Sequence, residues 1–152
     1  AMGYKRILVP VDGSPTSARG VAEAIKLAQD GGAKLLLLHV VEEYAILGIP
    51  EAGASIGPVL DALNRAGRST LAKIERGARR LGIRAETKLV EDFSGRVANA
   101  IVDQAKRWRA DVIVMGTHGR RGLNRVLLGS DAEIVVRYST VPVLLVPARG
   151  RK

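Results

Sequence analysis

Three glycines and one hydroxyl residue lie close enough together, near the end of this chain, to bind a phosphate chain. A G-x-x-G motif occupies residues 116–119, directly after an apolar run, and Gly129-Ser130 follows after nine intervening residues. Glycines let phosphates approach backbone N–H groups, and the N-terminus of a helix attracts anions. The spacing matches neither a Walker A loop nor the dinucleotide-binding G-x-G-x-x-G motif. The run therefore predicts a phosphate site of another kind, between a strand end and a helix start.

A second polar segment, residues 10–14 (Pro-Val-Asp-Gly-Ser), closes an apolar run near the start of the chain. Ligands of open α/β sheets bind beyond the carboxyl ends of the strands, where the strand order reverses. If the strands that precede the two segments are neighbours, the segments flank one crevice. Asp12 would then accept hydrogen bonds from ribose hydroxyls or hold a metal ion. The alternative is that its carboxylate only satisfies N–H groups of the turn before the first helix.

The glycine-rich segment offers backbone, hydroxyl and basic groups to phosphates, and the candidates are Gly116, His118, Gly119, Arg120, Arg121, Gly129 and Ser130. Arginine binds phosphate oxygens through paired N–H groups and carries a fixed charge. Two alternatives stay open, namely that the glycines only turn the chain and that Ser130 only caps a helix. His118 is a candidate general acid or base, although a solvated or neutral hydrogen-bonding histidine is the commoner case.

The elements that must position these residues follow from hydrophobic patterning. Most of the apolar runs lack polar alternation, as in strands buried on both faces. The five runs that predict strands cover residues 6–11, 34–41, 85–90, 111–116 and 143–146. His39, inside the second run, is typical of a satisfied core histidine. Because helical patterns separate the runs, the order β-α-β-α-β-α-β-α-β predicts an α/β fold with a parallel, doubly wound sheet and helices on both faces.

Capping signals predict where the helices begin and end. Serine or proline at a helix start and glycine after a helix end are the usual signals. They predict starts at Ser14-Pro15, Ser94 and Ser130, and ends at Gly31-Gly32 and Gly82. Glu133, three residues after Ser130, completes a capping-box pattern.

Two further segments carry structural expectations. Residues 42–57 contain three glycines, a proline and little periodicity, so we interpret them as a mobile loop. Pro142 and Pro147 bracket the last predicted strand, which is expected at a sheet edge because proline cannot donate to the ladder. An exposed edge as apolar as residues 143–146 requires cover, most simply from a second subunit.

Composition predicts one domain over residues 4–148, with residues 1–3 as an extension left by a tag and 149–152 as a basic tail. The absence of cysteine excludes disulfides, thiolate chemistry and cysteine-based metal sites. No apolar run is long enough to cross a bilayer and no signal peptide is recognisable, so we expect a cytoplasmic protein.

The formal net charge is +9, but the basic residues are spread along the chain and aromatic residues are few. We therefore interpret most of the charge as solvated surface, and nucleic acid as an unlikely partner.

The chain resembles the universal stress protein family, in its ATP-binding branch, over nearly its whole length. The residues that carry the resemblance are 7–14, Leu38-His39-Val40, 111–119, Gly129-Ser130 and 141–146. The G-x-x-G-x9-G-S/T spacing is the nucleotide signature of that family. The resemblance implies a fold like that of adenine nucleotide α-hydrolases, with sheet order 3-2-1-4-5. It also implies a homodimer paired through the last strand.

The same resemblance implies roles for individual positions. It implies contacts with adenine and ribose at Pro10, Val11 and Asp12, and a place for Val40 in the lining of the adenine pocket. It implies that Met115 and Gly116 lie beside the ribose and phosphates, and that Gly119, Gly129, Ser130 and the backbone of Asp131 bind the phosphates. The sequence departs from the family at Asp131-Ala132, where a small residue and then Ser or Thr often follow. Asp131 would either repel the triphosphate or hold a Mg²⁺ or Mn²⁺ ion that offsets its charge.

The leading hypothesis is a nucleotide-dependent stress-response or signalling dimer that binds ATP. A slow ATPase, in which His118, Asp12 or Asp131 positions water, and a basic nucleic-acid-binding module are the alternatives. The sequence offers no dedicated water-activating carboxylate, so any hydrolysis is expected to be slow and no catalytic residue is assigned. A flavin-binding protein of the same sheet type is less favoured, because few aromatic residues are available for stacking.

Overall fold

The computed structural model describes residues 3–42, 56–92, 94–118 and 128–148. In this part of the chain five strands alternate with four helices, as predicted. The elements are β1 (Arg6–Pro10), α1 (Pro15–Gly31), β2 (Lys34–Glu42), α2 (Ile56–Arg80), β3 (Ala85–Asp92), α3 (Val97–Trp108), β4 (Val112–Gly116), α4 (Ser130–Tyr138) and β5 (Val143–Val146).

The predicted strand boundaries shift by one or two residues. β1 ends at Pro10, one residue before the predicted end, while β2 and β3 continue to Glu42 and Asp92. β4 begins at Val112, because the Asp111 carboxylate accepts hydrogen bonds from the N–H groups at the start of β1. The predicted loop 42–57 loses both ends, since Glu42 belongs to β2 and α2 begins at Ile56. The rest of that loop lies outside the described residues.

All five strands are parallel, and the sheet has the order β3-β2-β1-β4-β5. The order confirms the fold expected from the resemblance and the edge position predicted for β5. It also makes β1 and β4 neighbours, with Leu8 opposite Ile113. The two polar segments that follow these strands therefore leave the sheet side by side, at the point where the strand order reverses.

Side chains alternate between two helical layers. The face that carries Ile7, Val9, Leu35 and Leu37 packs against α1 and α2. The opposite face, which includes Leu8, packs against α3 and α4. Because both faces of the central strands are covered, their runs are apolar without alternation. None of the helices that the structure describes is long and apolar enough to span a bilayer.

Both ends of α1 follow the predicted signals, whereas the start of α3 does not. Ser14 caps α1, accepting a hydrogen bond from the N–H of Ser17 at 3.1 Å. Gly32 ends α1 in the left-handed conformation, as glycine does at a helix end. Ser94 does not cap α3, because its hydroxyl donates to the carboxylate of Asp92 in a local turn and the helix starts only at Val97.

Gly77 lies inside α2, and a Cβ added there would meet no atom within 4 Å. Alanine has a higher helix propensity because glycine loses more backbone entropy on folding. Gly77→Ala is therefore expected to stabilise the protein by about 0.5–1 kcal/mol. Urea unfolding, with wild type in parallel, measures this change. A loss of stability in the variant would contradict the open space found at this position.

A polar cluster at the opposite end of the sheet ties α3 to β3. Trp108 Nε1–H donates to Glu86 at 2.7 Å, and the Lys34 ammonium lies 3.1 Å from the same carboxylate. The Trp108 hydrogen bond, followed by the Lys34 hydrogen bond, holds the pKa of Glu86 below its ordinary value. The guanidinium of Arg6 stacks on the Trp108 ring, 4.1 Å from its centroid.

Glu86 is expected to give the folding free energy a weak pH dependence. Its lowered pKa contributes stability above the unfolded-state pKa, and this is lost as the pH falls through the lower folded-state pKa. The side chain is 47% exposed, so solvent screening limits the contribution to less than about 1 kcal/mol. Urea unfolding of wild type and Glu86→Gln should differ at neutral pH and converge once the carboxyl is protonated. An equal difference at both pH values would contradict this role.

Candidate functional site

The carboxyl edge of the sheet is stepped. The β1–β2 pairing ends at Pro10 opposite Leu38, whereas β2 and β3 stay paired until Glu42 and Asp92. β2 therefore extends four residues past the end of β1. The step leaves a crevice beyond β1 and β4, bounded on one side by the free edge of β2.

Three predicted site residues share one face of the sheet at this crevice. Met115 lies in the core cluster on the α3 and α4 side, and Val40 packs against that cluster. Pro10 lies on the same face, because it follows Leu8 by two residues along β1. The structure thus brings together three apolar side chains from three adjacent strands. By contrast, the side chain of Val11 is buried in the opposite core, so only its backbone faces the crevice.

The free edge of β2 presents the backbone of Val40. Lys34 donates its N–H to the carbonyl of Lys5, and Leu38 accepts from the N–H of Val11, so even-numbered residues of β2 face β1. Val40 continues this alternation past the last paired residue. No backbone hydrogen bond joins it to residues 10–14. Its N–H and C=O are therefore a neighbouring donor and acceptor that point into the crevice.

Asp12 is held in the turn between β1 and α1. Its Oδ1 accepts the N–H of Ser14 at 2.8 Å, and its own N–H donates to the Ser17 hydroxyl at 3.2 Å. Gly13, with φ of 80°, supplies the left-handed residue that the turn requires. One carboxylate oxygen of Asp12 therefore does accept a hydrogen bond from an N–H group of the turn, as the alternative interpretation of this residue expected. The carboxylate is half-buried at the crevice, in an orientation fixed by the turn.

Gly116, at the end of β4, is needed for packing. A Cβ there would lie 2.5 Å from Thr16 Cγ2 and 3.0 Å from the Thr16 backbone, so the first turn of α1 lies directly against β4. This close approach is a structural reason for the glycine, independent of any phosphate.

Gly129 fixes the start of α4 against the end of β4. Its N–H donates to the carbonyl of Thr117 at 2.7 Å, and a Cβ would lie 2.8 Å from the same oxygen. Gly129 also accepts the N–H of Glu133 at 3.0 Å and is therefore the residue that caps α4. The predicted capping box at Ser130 is wrong. The cap lies one residue earlier, at Gly129, and Ser130 is the first residue of the helix.

The remaining candidates lie in or beside the segment between β4 and α4. His118 Nδ1 is 2.9 Å from the hydroxyl of Thr117, in a half-buried position. Asp131 lies in the first turn of α4, where an acidic side chain favourably meets the positive end of the helix dipole. Gly119, Arg120 and Arg121 lie outside the described residues.

The described residues contain no cluster of three or more His, Cys, Asp or Glu side chains that would hold a metal ion. A cation brought in by a nucleotide needs fewer protein ligands, because phosphate oxygens and water complete its coordination. Among the residues that the structure describes, the surroundings of Asp12, the predicted metal ligand, fit only this second arrangement.

Sequence patterns missed three polar groups of the site. Ser17 and Thr117 support the two segments through the hydrogen bonds given above. His39, which the pattern placed in the core, contacts Val11 through Nδ1. Ser17, three residues after a helix cap, has a local signal. The contact of His39 spans 28 residues and depends on strand register, so no local pattern indicates it.

The fold and the stepped crevice define the class of α/β proteins that bind ligands beyond the carboxyl ends of a parallel sheet. The model of the universal stress protein family matches residues 3–147. The chain therefore belongs to the universal stress protein family.

Individual relatives agree with the family match. Universal stress protein MJ0531 of Methanocaldococcus jannaschii is 38% identical over 143 residues, which cover 94% of this chain and 82% of the relative. The solved structure of MJ0577, from the same organism, is 27% identical with a TM-score of 0.85 and covers 99% of this chain and 100% of that chain. A universal stress protein solved in complex with cAMP is 26% identical, with a TM-score of 0.65 and coverage of 96% and 98%.

Proposed function

We propose that the protein binds adenine nucleotides, ATP in particular, in the crevice beyond β1 and β4, as a stress-response or signalling protein. The backbone of Val40 carries the proposal. Its N–H and C=O form a neighbouring donor and acceptor. Adenine offers the matching pair, because ring nitrogen N1 accepts and the 6-amino group donates. Guanine and hypoxanthine present the reverse pair on that edge, so the crevice favours adenine.

The rest of the crevice is consistent with a nucleotide. Pro10 and Met115 would supply an apolar surface for the base, and the half-buried Asp12 carboxylate would accept a hydrogen bond from a ribose hydroxyl. The N-terminus of α4 supplies N–H groups without an intrahelical acceptor. Because the N–H of Gly129 donates to Thr117, the phosphates would instead be bound by the N–H groups of the first turn of α4, which begins at Ser130. The relative solved with cAMP supports the same ligand class.

A divalent cation would accompany a triphosphate. Asp12 is the residue we assign to it, because a single carboxylate with phosphate oxygens and waters suffices for Mg²⁺ or Mn²⁺. The ion would offset the negative charge that Asp131 adds to the first turn of α4. Nucleotide affinity should therefore rise when either metal is supplied and fall when it is chelated.

Calorimetry tests the proposal. Protein verified as nucleotide-free is titrated with ATP and with ITP, each with Mg²⁺. We expect ATP to bind and ITP to bind at least tenfold more weakly, since each mismatched hydrogen bond costs about 1–3 kcal/mol. ATP that releases no heat at millimolar concentration, or equal affinity for the two nucleotides, would sink the proposal.

We also propose a homodimer through β5. This strand lies at the sheet edge, and Leu144 is 41% exposed on it. An apolar edge strand with unpaired backbone groups is a template for another strand. Leu144→Lys is expected to convert a dimer into a monomer, because the partner strand would bury the new charge. Sedimentation velocity measures the change, with exposed Leu81→Lys as control. A monomeric wild type at all concentrations would exclude this dimer.

A further inference from the structure

The hydrogen-bond ladder between β1 and β2 stops one step before its regular end. Lys34 donates its N–H to the carbonyl of Lys5, and Val11 donates its N–H to Leu38. The same alternation, continued, pairs the N–H of Val40 with the carbonyl of Val11. That bond is not formed. The Val11 carbonyl is instead taken by a side chain.

The side chain of His39 donates a hydrogen bond to the Val11 carbonyl. Its Nδ1 lies 2.7 Å from that oxygen, and because a carbonyl only accepts, Nδ1 carries the hydrogen. The ring is 8% exposed and extends from the face of β2 opposite Val40. The imidazole therefore reaches round the end of the ladder to a backbone group at the crevice.

Helix α2 holds the ring in this position. A Cβ on Gly67 would lie 2.5 Å from His39 Cδ2 and 3.0 Å from Nε2, and 3.0 Å from the side chain of Leu89. Gly67 is buried in α2, so the missing side chain gives the imidazole its space. A larger residue would push the ring away from Val11.

We propose that His39 is a positioning residue that keeps the base-reading edge of Val40 open, an inference that rests on the adenine binding proposed above. By donating to the Val11 carbonyl, the imidazole holds that oxygen toward its own ring and away from the N–H of Val40, which would otherwise donate to it. The donor stays turned into the crevice, where adenine N1 would accept it. Gly67 belongs to the same device, although it lies on the far face of the sheet.

This role of His39 predicts a specific change when the imidazole is removed. In His39→Leu the Val11 carbonyl, buried and without its donor, is free to pair with the N–H of Val40, and the ladder closes by one bond. The base then loses one hydrogen bond, while ribose and phosphate contacts remain. His39→Asn should keep the edge open, because its amide nitrogen lies as many bonds from Cα as Nδ1 does.

A comparison of two nucleotides isolates this hydrogen bond. Affinities for ATP and 1-deaza-ATP, which lacks the ring nitrogen N1, are measured on wild type, His39→Leu and His39→Asn. We expect 1-deaza-ATP to bind wild type and His39→Asn about tenfold more weakly than ATP, the value of one hydrogen bond of about 1.4 kcal/mol. On His39→Leu the two should bind equally. Leu35→Ala, a core variant at the other end of β2, should keep the wild-type ratio.

Hydrogen exchange of nucleotide-free protein tests the device by itself. The Val40 amide should exchange rapidly in wild type and slowly in His39→Leu and Gly67→Ala, the latter serving also if His39→Leu does not fold. A protected Val40 amide in wild type, or an unchanged nucleotide ratio in His39→Leu, would overturn the inference. Wild type that exchanges as expected but binds no ATP would instead refute the proposed function.

Discussion

Gly129→Ala is expected to weaken ATP binding about 100-fold and to destabilise the fold by about 1–3 kcal/mol. The new Cβ would lie 2.8 Å from the carbonyl oxygen of Thr117, a backbone atom that cannot move without the end of β4. The N-terminus of α4 must therefore shift away, and the hydrogen bond between Gly129 and Thr117 is lost. Two phosphate hydrogen bonds, each about 1.5 kcal/mol, correspond to that loss of affinity.

Calorimetry with ATP and urea unfolding measure the two effects of Gly129→Ala. Gly77→Ala is the matched control, since it makes the same chemical change where the space is open. The backbone of Gly129, with φ of −59°, is accessible to alanine, so the expected effect is steric and not conformational. ATP binding that matches wild type would remove α4 from the phosphate site. Weakened binding at unchanged stability would locate the effect at the ligand and not in the packing.

Strand and helix alternation was predictable because it depends on local composition. The apolar runs of the central strands reflect burial on both faces, and the prolines around β5 indicate an edge. The cap predicted at Ser130 was wrong, because a tertiary contact decides where α4 begins. Gly129 meets Thr117 only after β4 and α4 are packed together. Local capping rules contain no term for such a contact, and the same holds for the turn that displaces Ser94 from α3.

The site was predictable to the extent that it follows from strand ends and alternation. Once β1 and β4 are neighbours, Pro10, Val40 and Met115 must share one face. The step between β1 and β2 depends on register, which the sequence does not state. Without it, the open backbone of Val40 and the contact from His39 to Val11 have no signature. Sequence patterns therefore located the strand ends that flank the crevice, whereas the backbone groups that we propose to bind the base could be identified only from the structure.

Leu8→Ala is expected to have the largest effect on stability, about 3–5 kcal/mol. Leu8 lies in β1, the central strand, with no exposed surface, between Leu36 of β2 and Ile113 of β4. All three belong to the core beneath α3 and α4. Neighbours on both sides restrict collapse around the missing side chain, so most of the cavity persists. The free energy of unfolding of a domain of this kind is roughly 5–15 kcal/mol, so the variant should remain folded but be only marginally stable.

Urea unfolding of Leu8→Ala should show a lower midpoint with an unchanged slope, because the surface exposed on unfolding stays the same. Leu81→Ala is the control, since that side chain is 54% exposed just after α2 and should cost less than about 1 kcal/mol. The folded fraction should bind ATP with nearly wild-type affinity, because residues 10–14 are attached to the backbone of β1 and not to its side chains. A loss below about 1.5 kcal/mol would mean that the core around β1 collapses readily, and that the central strand is not the rigid support on which the crevice depends.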